Sequence, residues 1–301
     1  MKFKRNGGFT LAEMLVAAAV GAVVSLGLVS FSWVSARLSA RNLAFNHGTA
    51  ALTGTANRLT KDLQGSGSIF TLVDFNGTGY TDSTVSMSSD VDPLSGQYLS
   101  TRSNAVRFWK TASDPVKLNV STTPTTIDLS FNFGPLVGGQ LPYTPAVNDK
   151  LWFPLLDQEF QIISVVTAPT TSSTTGVVRI HNSAGVGYTL STTSPNVTTA
   201  IFFHQVAYSV YNNTLRYHPN FSNSPASCNV ACNNITSPKP FAVLYATSSA
   251  SASPRTDLRI SFEAYDLDYS SFKFPNGAAT LQSTISVRDQ PPFVSALQTP
   301  L

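Results

Sequence analysis

Gly7-Gly8-Phe9-Thr10-Leu11-Ala12-Glu13-Met14-Leu15-Val16 decides how the rest of the chain is read. A basic segment, 1–6, precedes it with Lys2, Lys4 and Arg5. After Gly8 comes an apolar run, 9–36, whose one formal charge is Glu13. As a helix that run is roughly 40 Å long, enough to cross a bilayer. Arg37 and Arg41 mark its far end, and the basic leader places its near end on the cytoplasmic side. A secretory signal carries its small-residue cleavage site after the apolar core. Here the small-residue site, Gly8, lies before it, so cleavage there keeps the helix on the mature chain. Glu13 is the second departure from an ordinary anchor. An acid inside a membrane needs a partner, and cleavage after Gly8 would place a new α-amino group on Phe9, one helical turn away.

Gly8-Phe9-Thr10-Leu11-Ala12-Glu13 followed by an unbroken apolar helix resembles the class III signal of type IV pilins and type II secretion pseudopilins. The resemblance implies cleavage between Gly8 and Phe9 by the prepilin peptidase and methylation of the new amine. It also implies that Glu13 has the role of the acid at the fifth mature position, which pairs with a Phe9 amine in the assembling filament. Further partners follow from it: other pilins or pseudopilins, an inner-membrane assembly platform, and the membrane itself through one helix. The rival reading is a signal anchor with a chance Glu.

The formal charge of +3 belongs to the leader. The leader holds three of the 19 basic residues, so its removal leaves basic and acidic residues equal at 16 each. The net charge is therefore no argument for nucleic acid. Charged residues make up 12% of the chain, about half the usual share, which suits an outer face built on Ser and Thr hydroxyls.

Beyond Arg37 the helix is expected to continue. Leu38, Phe45, Leu52 and Leu59 recur every seven residues, with Thr49, Ala56 and Leu63 four further on, a stripe at helical spacing. Gly48 and Gly54 weaken it by roughly 1 kcal/mol each relative to Ala, so a globular domain must support this half. Gly65-Ser66-Gly67 is the expected stop. From there the pattern is β: 69–73, 105–109, 116–120, 126–133, 150–156, 159–166 and 177–181 alternate or run apolar between Ser/Thr/Pro-rich links. A hairpin follows, 201–211 and 214–218 about Asn212-Asn213. Further strands are expected at 241–246, 257–266 and 281–288.

The fold class is α+β, a long N-terminal helix packed on a mostly antiparallel β head with an elaborated β region. The expected division is a leader 1–8, a transmembrane or filament-core helix 9–36, an amphipathic stalk 37–64, a β-rich elaboration 68–199, and a β head with a Cys loop 200–301. Asn57-Arg58-Leu59-Thr60-Lys61-Asp62-Leu63, the hairpin at 206–217 and the final Val287-Arg288 resemble the large minor pilins of the pilus W type or pseudopilins of the J type.

Chemistry is sparse. Nucleophile-elbow, zinc-protease and P-loop patterns are absent, and His47, His181, His204 and His218 have no carboxylate or Cys partner nearby in sequence. Acid pairs, Asp90/Asp92 and Asp266/Asp268, read as solvated loop residues. No catalytic residue, resident metal or cofactor is expected. Asp74, Asn76, Thr78 and Asp82 spell the opening of a calcium loop with Gly79 in the sixth place, but Val85 stands where the bidentate acid belongs. Cys228 and Cys232 lack the ligands to complete a zinc site. On the oxidising side of a membrane they read as a small-loop disulfide, with two free buried thiols the alternative. Head aromatics such as Trp109, Trp152, Phe202 and Phe203 are not interleaved with basic residues, which argues against a DNA groove. An adhesin-like binding subunit and a competence pseudopilin are the alternatives to a purely structural one.

Overall fold

The computed structural model describes residues 10–64, 70–119, 128–154, 158–182, 199–219, 228–245, 254–264 and 279–286. Gly8, Phe9, the Gly65-Ser66-Gly67 stop, Asp266, Asp268 and Val287-Arg288 lie outside them.

A single helix, α1 (Leu11–Gln64), carries the apolar run and the stalk without a break. It is roughly 80 Å long. Residues 10–39 are exposed throughout, and burial against the head begins at Ala44. The buried face then runs Ala44, Gly48, Leu52, Thr55, Ala56, Leu59, Asp62 and Leu63. Leu52, Ala56, Leu59 and Leu63 are where the seven-residue stripe puts them. Leu38 and Phe45, also in that stripe, are 53% and 47% exposed. A seven-residue repeat drifts about 20° per heptad on a straight α-helix, so by Phe45 the sheet-facing line has moved onto Ala44 and Gly48. Gly54 points away from the head, with open space where a Cβ would sit.

The head is antiparallel in every described pairing. In order come β1 (Thr71–Phe75), β2 (Tyr80–Asp82), β3 (Met87–Val91), β4 (Tyr98–Ser100), β5 (Ala105–Thr111), β6 (Val116–Leu118), β7 (Asp128–Asn132) and β8 (Lys150–Phe153). Then follow β9 (Gln158–Thr167), β10 (Thr175–Asn182), β11 (Thr199–Tyr211), β12 (Thr214–His218), β13 (Asn229–Asn233), β14 (Phe241–Tyr245), β15 (Pro254–Ala264) and β16 (Ala279–Ser286). The β11–β12 hairpin turns at Asn212 and Asn213, both with positive φ, as a two-residue type I′ connection requires.

β11 is the spine. Its first half pairs with β6 on one edge and β8 on the other, and the path β11-β6-β7-β10-β9-β8 returns to β11. That path is a closed six-stranded barrel. Leu129, Phe131, Phe153, Phe160, Ile162 and Phe202 are among the side chains that fill it. Phe131 meets Phe202 edge to face at 5.1 Å, a favoured aromatic geometry. The second half of β11 pairs with β5 and β12, and there Val206, Tyr208 and Val210 join a different core under α1 with Leu52, Leu59 and Leu63. A second sheet, β16-β15-β14-β4-β3, completes that core with Val243, Leu258 and Phe262. The expected boundary at 199/200 is therefore misplaced. The elaboration is a barrel threaded between β5 and β11, while β1 and β5, counted with it from sequence, belong to the helix-backed head.

Two polar contacts fix α1 to the head. Lys110 on β5 reaches Asp62 at 2.6 Å, and the Tyr208 hydroxyl donates to its other oxygen at 2.7 Å. Burial, reinforced by the Asp62 charge, raises the Tyr208 pKa, so this donor keeps its proton.

His218 gives the head a pH dependence. It is 1% exposed, shares a 2.8 Å hydrogen bond with Ser209, and packs against the Phe75 and Tyr80 rings. Burial, with a smaller push from Arg216, lowers its pKa to about 4. The unfolded chain binds this proton below about pH 6.5 and the folded chain does not, so stability falls as pH drops from 6.5 to about 4. The loss totals on the order of 3 kcal/mol. Urea midpoints across that window should fall less steeply in His218→Gln than in the parent. Equal slopes would mean that the imidazole stays accessible to protons.

Candidate functional site

Most of the exposed apolar surface belongs to the first half of α1. Leu11, Leu15, Val23, Leu26 and Phe31 are all open to the surroundings, and no residue from 10 to 39 is buried. By length and composition this helix is able to cross a membrane, and none of its most apolar stretch is buried.

At its start, Thr10 and Glu13 close on each other. The Glu13 carboxylate accepts from the Thr10 amide at 2.9 Å and from the Thr10 hydroxyl at 3.0 Å. The Glu13 amide in turn donates to the Thr10 hydroxyl at 3.3 Å. This is a capping box, with Thr10 as N-cap and Glu13 at the third helical position. Its spelling, Thr-x-x-Glu, is legible in the sequence, so Glu13 has a capping role beside that of its charge. In the isolated subunit the acid is thus already satisfied by its own chain. Ala17, Gly21 and Ser25 follow Glu13 at four-residue intervals, so the acid heads a shallow groove of small residues flanked by Val16, Val20 and Val24.

Among the described residues, the calcium candidates and the two cysteines lie on separate hairpins of the head. Asp74, Asn76, Thr78 and Asp82 lie on the β1–β2 hairpin. Asn76 accepts from the amides of Thr78 and Gly79, which spends its side chain on the turn. The sharp bend is at Gly77 (φ 97°), two residues earlier than a calcium loop needs it. Asp74 takes a hydrogen bond from Ser83, and Asp82 pairs with Arg107. Asp82 stands opposite Val73 rather than Asp74 in the ladder, so the two acids point to opposite faces.

The expected disulfide is not formed: Cys228 and Cys232 are free. Residues 229–233 are the edge strand β13 rather than a loop, with Leu215 opposite Cys232 and Tyr217 opposite Asn229. Extended chain puts the two Cα atoms about 10–13 Å apart, beyond the ~7 Å that a disulfide tolerates. Cys228 receives a contact from Arg216 at 3.7 Å. Cys232 is buried, and burial raises its pKa.

One histidine proves to have a carboxylate partner after all. His204 on β11 meets Asp149 through Nδ1 at 2.6 Å, and the Tyr143 hydroxyl donates to the other Asp149 oxygen at 2.5 Å. The partners are 55 residues apart in the chain, so sequence proximity held no signal. Burial and the Asp149 charge hold the Tyr143 pKa well above its ordinary value. Asp149 also accepts from the Ala146 amide, which ties the preceding loop to the barrel. Both oxygens of the acid are committed to holding the barrel rim. Nearby, a cleft of about 450 Å³ at the barrel end is lined by Asp114, Lys117, Asn132, Phe133 and Tyr143, among others. Among the described residues no group of three or more His, Cys, Asp or Glu is placed to hold a metal.

No curated protein and no solved structure matches the chain. The family described as the prokaryotic N-terminal methylation motif matches residues 3–29, a span that holds Lys4 and Arg5 of the basic leader, Gly8-Phe9, the Thr10–Glu13 box and most of the exposed apolar helix. That motif implies processing by a prepilin peptidase and membrane insertion through one helix. The chain therefore carries the N-terminal signal of type IV pilins and pseudopilins, set on a membrane-capable helix and an α+β head.

Proposed function

We propose that the chain is a minor pilin or pseudopilin, a structural subunit without catalytic activity that enters a type IV pilus or type II secretion pseudopilus through α1. After cleavage between Gly8 and Phe9 and methylation of Phe9, it waits in the cytoplasmic membrane with its head on the far side. An inner-membrane platform then lifts it into a filament of other pilins. The observation that carries this reading is the helix face on which Glu13 heads Ala17, Gly21 and Ser25. Small residues let helix backbones approach closely where lipid offers no hydrophobic drive to pack. A neighbouring helix seated there reaches Glu13 with its own N-terminus, and the amine and acid set the stagger.

Gly21 tests this face cleanly, because nothing lies within 4 Å of the place its Cβ would occupy. Gly21→Leu should leave folding, insertion and leader cleavage unchanged and lower incorporation into sheared filaments on the order of tenfold. Undiminished incorporation would remove the face from the account. A second reading, a tip or binding subunit, is favoured by the barrel, which has its own core and an open cleft at one end. Mass-spectrometric copy number in the same filaments separates it from a repeating subunit. The head's size favours a rare one, and a competence filament fits the same assembly chemistry.

A further inference from the structure

Asn-x-Ser/Thr, the spelling of an N-glycosylation acceptor, occurs at Asn76, Asn119, Asn196, Asn212, Asn220 and Asn234. Of these, only Asn76 has an acid two places before it, Asp74. Asn196, Asn220 and the residues that complete the Asn119 motif lie outside the described ones. The structure separates the other three. Asn76 and Thr78 are both exposed at the tip of the β1–β2 hairpin. The Asn76 Oδ1 accepts from the Thr78 amide at 2.9 Å, the Thr78 hydroxyl at 3.0 Å and the Gly79 amide at 2.8 Å. Its Nδ2 takes part in no hydrogen bond among the described residues, so one end of the carboxamide is fixed and the other is free to react. Between them Gly77 (φ 97°) rests on Tyr211, where an added Cβ would come within 2.5 Å of the ring, so the turn is held against the folded head. At Asn212 the Thr214 hydroxyl donates instead to the main-chain carbonyl, at 3.3 Å. At Asn234 the Thr236 hydroxyl is buried without a partner among the described residues, and Ile235 is in the core.

We propose that Asn76 is the acceptor of an N-linked glycan on the head. The inference rests on the head lying outside the cytoplasm, as proposed above, where a membrane-bound transferase meets a glycan carried on a polyprenyl pyrophosphate. In the transfer the Asn76 Nδ2 attacks the anomeric carbon of that glycan and a C–N bond forms. The anomeric C–O bond breaks, the pyrophosphate leaves with its electron pair, and one Nδ2 proton passes to a base on the transferase. The three donors on Oδ1 favour that step, because they stabilise the negative charge that develops on the carboxamide as the proton leaves. Transfer needs no unfolding, since the acceptor already stands on an exposed tip. The product suits this head. Its charges balance once the leader is gone, and a surface near zero net charge is prone to association. A bulky, hydrated sugar opposes that association.

Peptide mass spectrometry of the full-length chain, purified from the membranes of the cell that makes it, tests the proposal. The peptide that holds Asn76 should carry the added mass of a glycan, and fragmentation that keeps the sugar attached should place it on Asn76. Thr78→Ala should lower its occupancy about tenfold or more, while Thr78→Ser, which keeps the motif, should retain it. Both variants preserve the Asn76 bonds to the two backbone amides, so the turn holds in each. The same digest reports the N-terminal peptide. A chain with methylated Phe9 and a bare Asn76, or an Asn76 merely hydrolysed to aspartate, would overturn the proposal and leave the assembly reading standing. So would a glycan that persists on Asn76 in Thr78→Ala, since transfer would then not depend on the motif. A chain that keeps its leader, with a head that protease added outside spheroplasts does not reach, would instead overturn the export on which both readings rest.

Discussion

Glu13→Gln will exclude the subunit from filaments while leader cleavage proceeds. The substitution separates two roles that one side chain holds. In the isolated subunit Glu13 accepts two hydrogen bonds from Thr10 and returns one through its amide. Gln serves that position in capping boxes as well as Glu does, so the helix start survives. The negative charge does not. In the packed state the Thr10 bonds compete with a charged amine arriving from a neighbouring helix, and the amine prevails because an ion pair in low dielectric outweighs hydrogen bonds from uncharged donors. Without that pair the stagger loses its most specific contact, and incorporation into sheared filaments, read by immunoblot, should fall roughly a hundredfold.

Thr10→Ala is the counterpart. It removes the cap and keeps the charge, at a cost typical of N-cap loss, about 1 kcal/mol of helix stability, and should lower incorporation only a few-fold. Glu13→Ala should match Glu13→Gln. If Glu13→Gln assembles normally and Thr10→Ala does not, the acid matters as a cap alone.

The helix and its signal were open to reading because their evidence is local. The apolar run, Gly8-Phe9 and the Glu13 offset sit within two dozen residues, and Asn212-Asn213 declares its hairpin through the positive φ that Asn tolerates. Closure of the barrel is not local. It depends on Leu151 and its neighbours on β8 meeting Phe202 and its neighbours on β11, about fifty residues away. Period-two alternation tells which side of a strand is buried but not which strand lies beside it, so a barrel and an open sheet spell alike. β2 and β3 escaped for another reason. Their Ser, Thr and Asp composition gives exposed, short strands with no apolar alternation to read. The Cys228–Cys232 segment misled through its Asn, Ser and Pro content, which describes a loop, whereas pairing with β12 makes it an edge strand. At the candidate site the charge of Glu13 was plain. Its bond to Thr10 was equally written there, in a motif associated with ordinary helices rather than with assembly.

The strongest effect on the head itself should come from Asp92→Ala. Arg259 on β15 is 2% exposed and Asp92, just after β3, is fully buried. Their charged groups meet at 2.8 Å, and Arg259 donates besides to Gln282 at 2.8 Å across the β15–β16 ladder. Burial lowers the guanidinium's pKa, and the Asp92 charge pulls it back up. Removing the carboxylate leaves a buried cation held only by neutral acceptors, at about 3–5 kcal/mol for a broken buried pair. Arg259→Met should cost less, because the stranded Asp92 keeps two hydrogen bonds from Ser95, at 3.0 and 2.7 Å. The double variant, Asp92→Ala with Arg259→Met, should regain much of the loss, since neither partner is then left charged and alone. Urea unfolding of the full-length chain in detergent, followed through Trp109 and Trp152, measures all three. An additive double variant would show that the two groups act separately. A pair that couples by several kcal/mol, as the geometry requires, would make the β3–β4 turn part of the head's cooperative core.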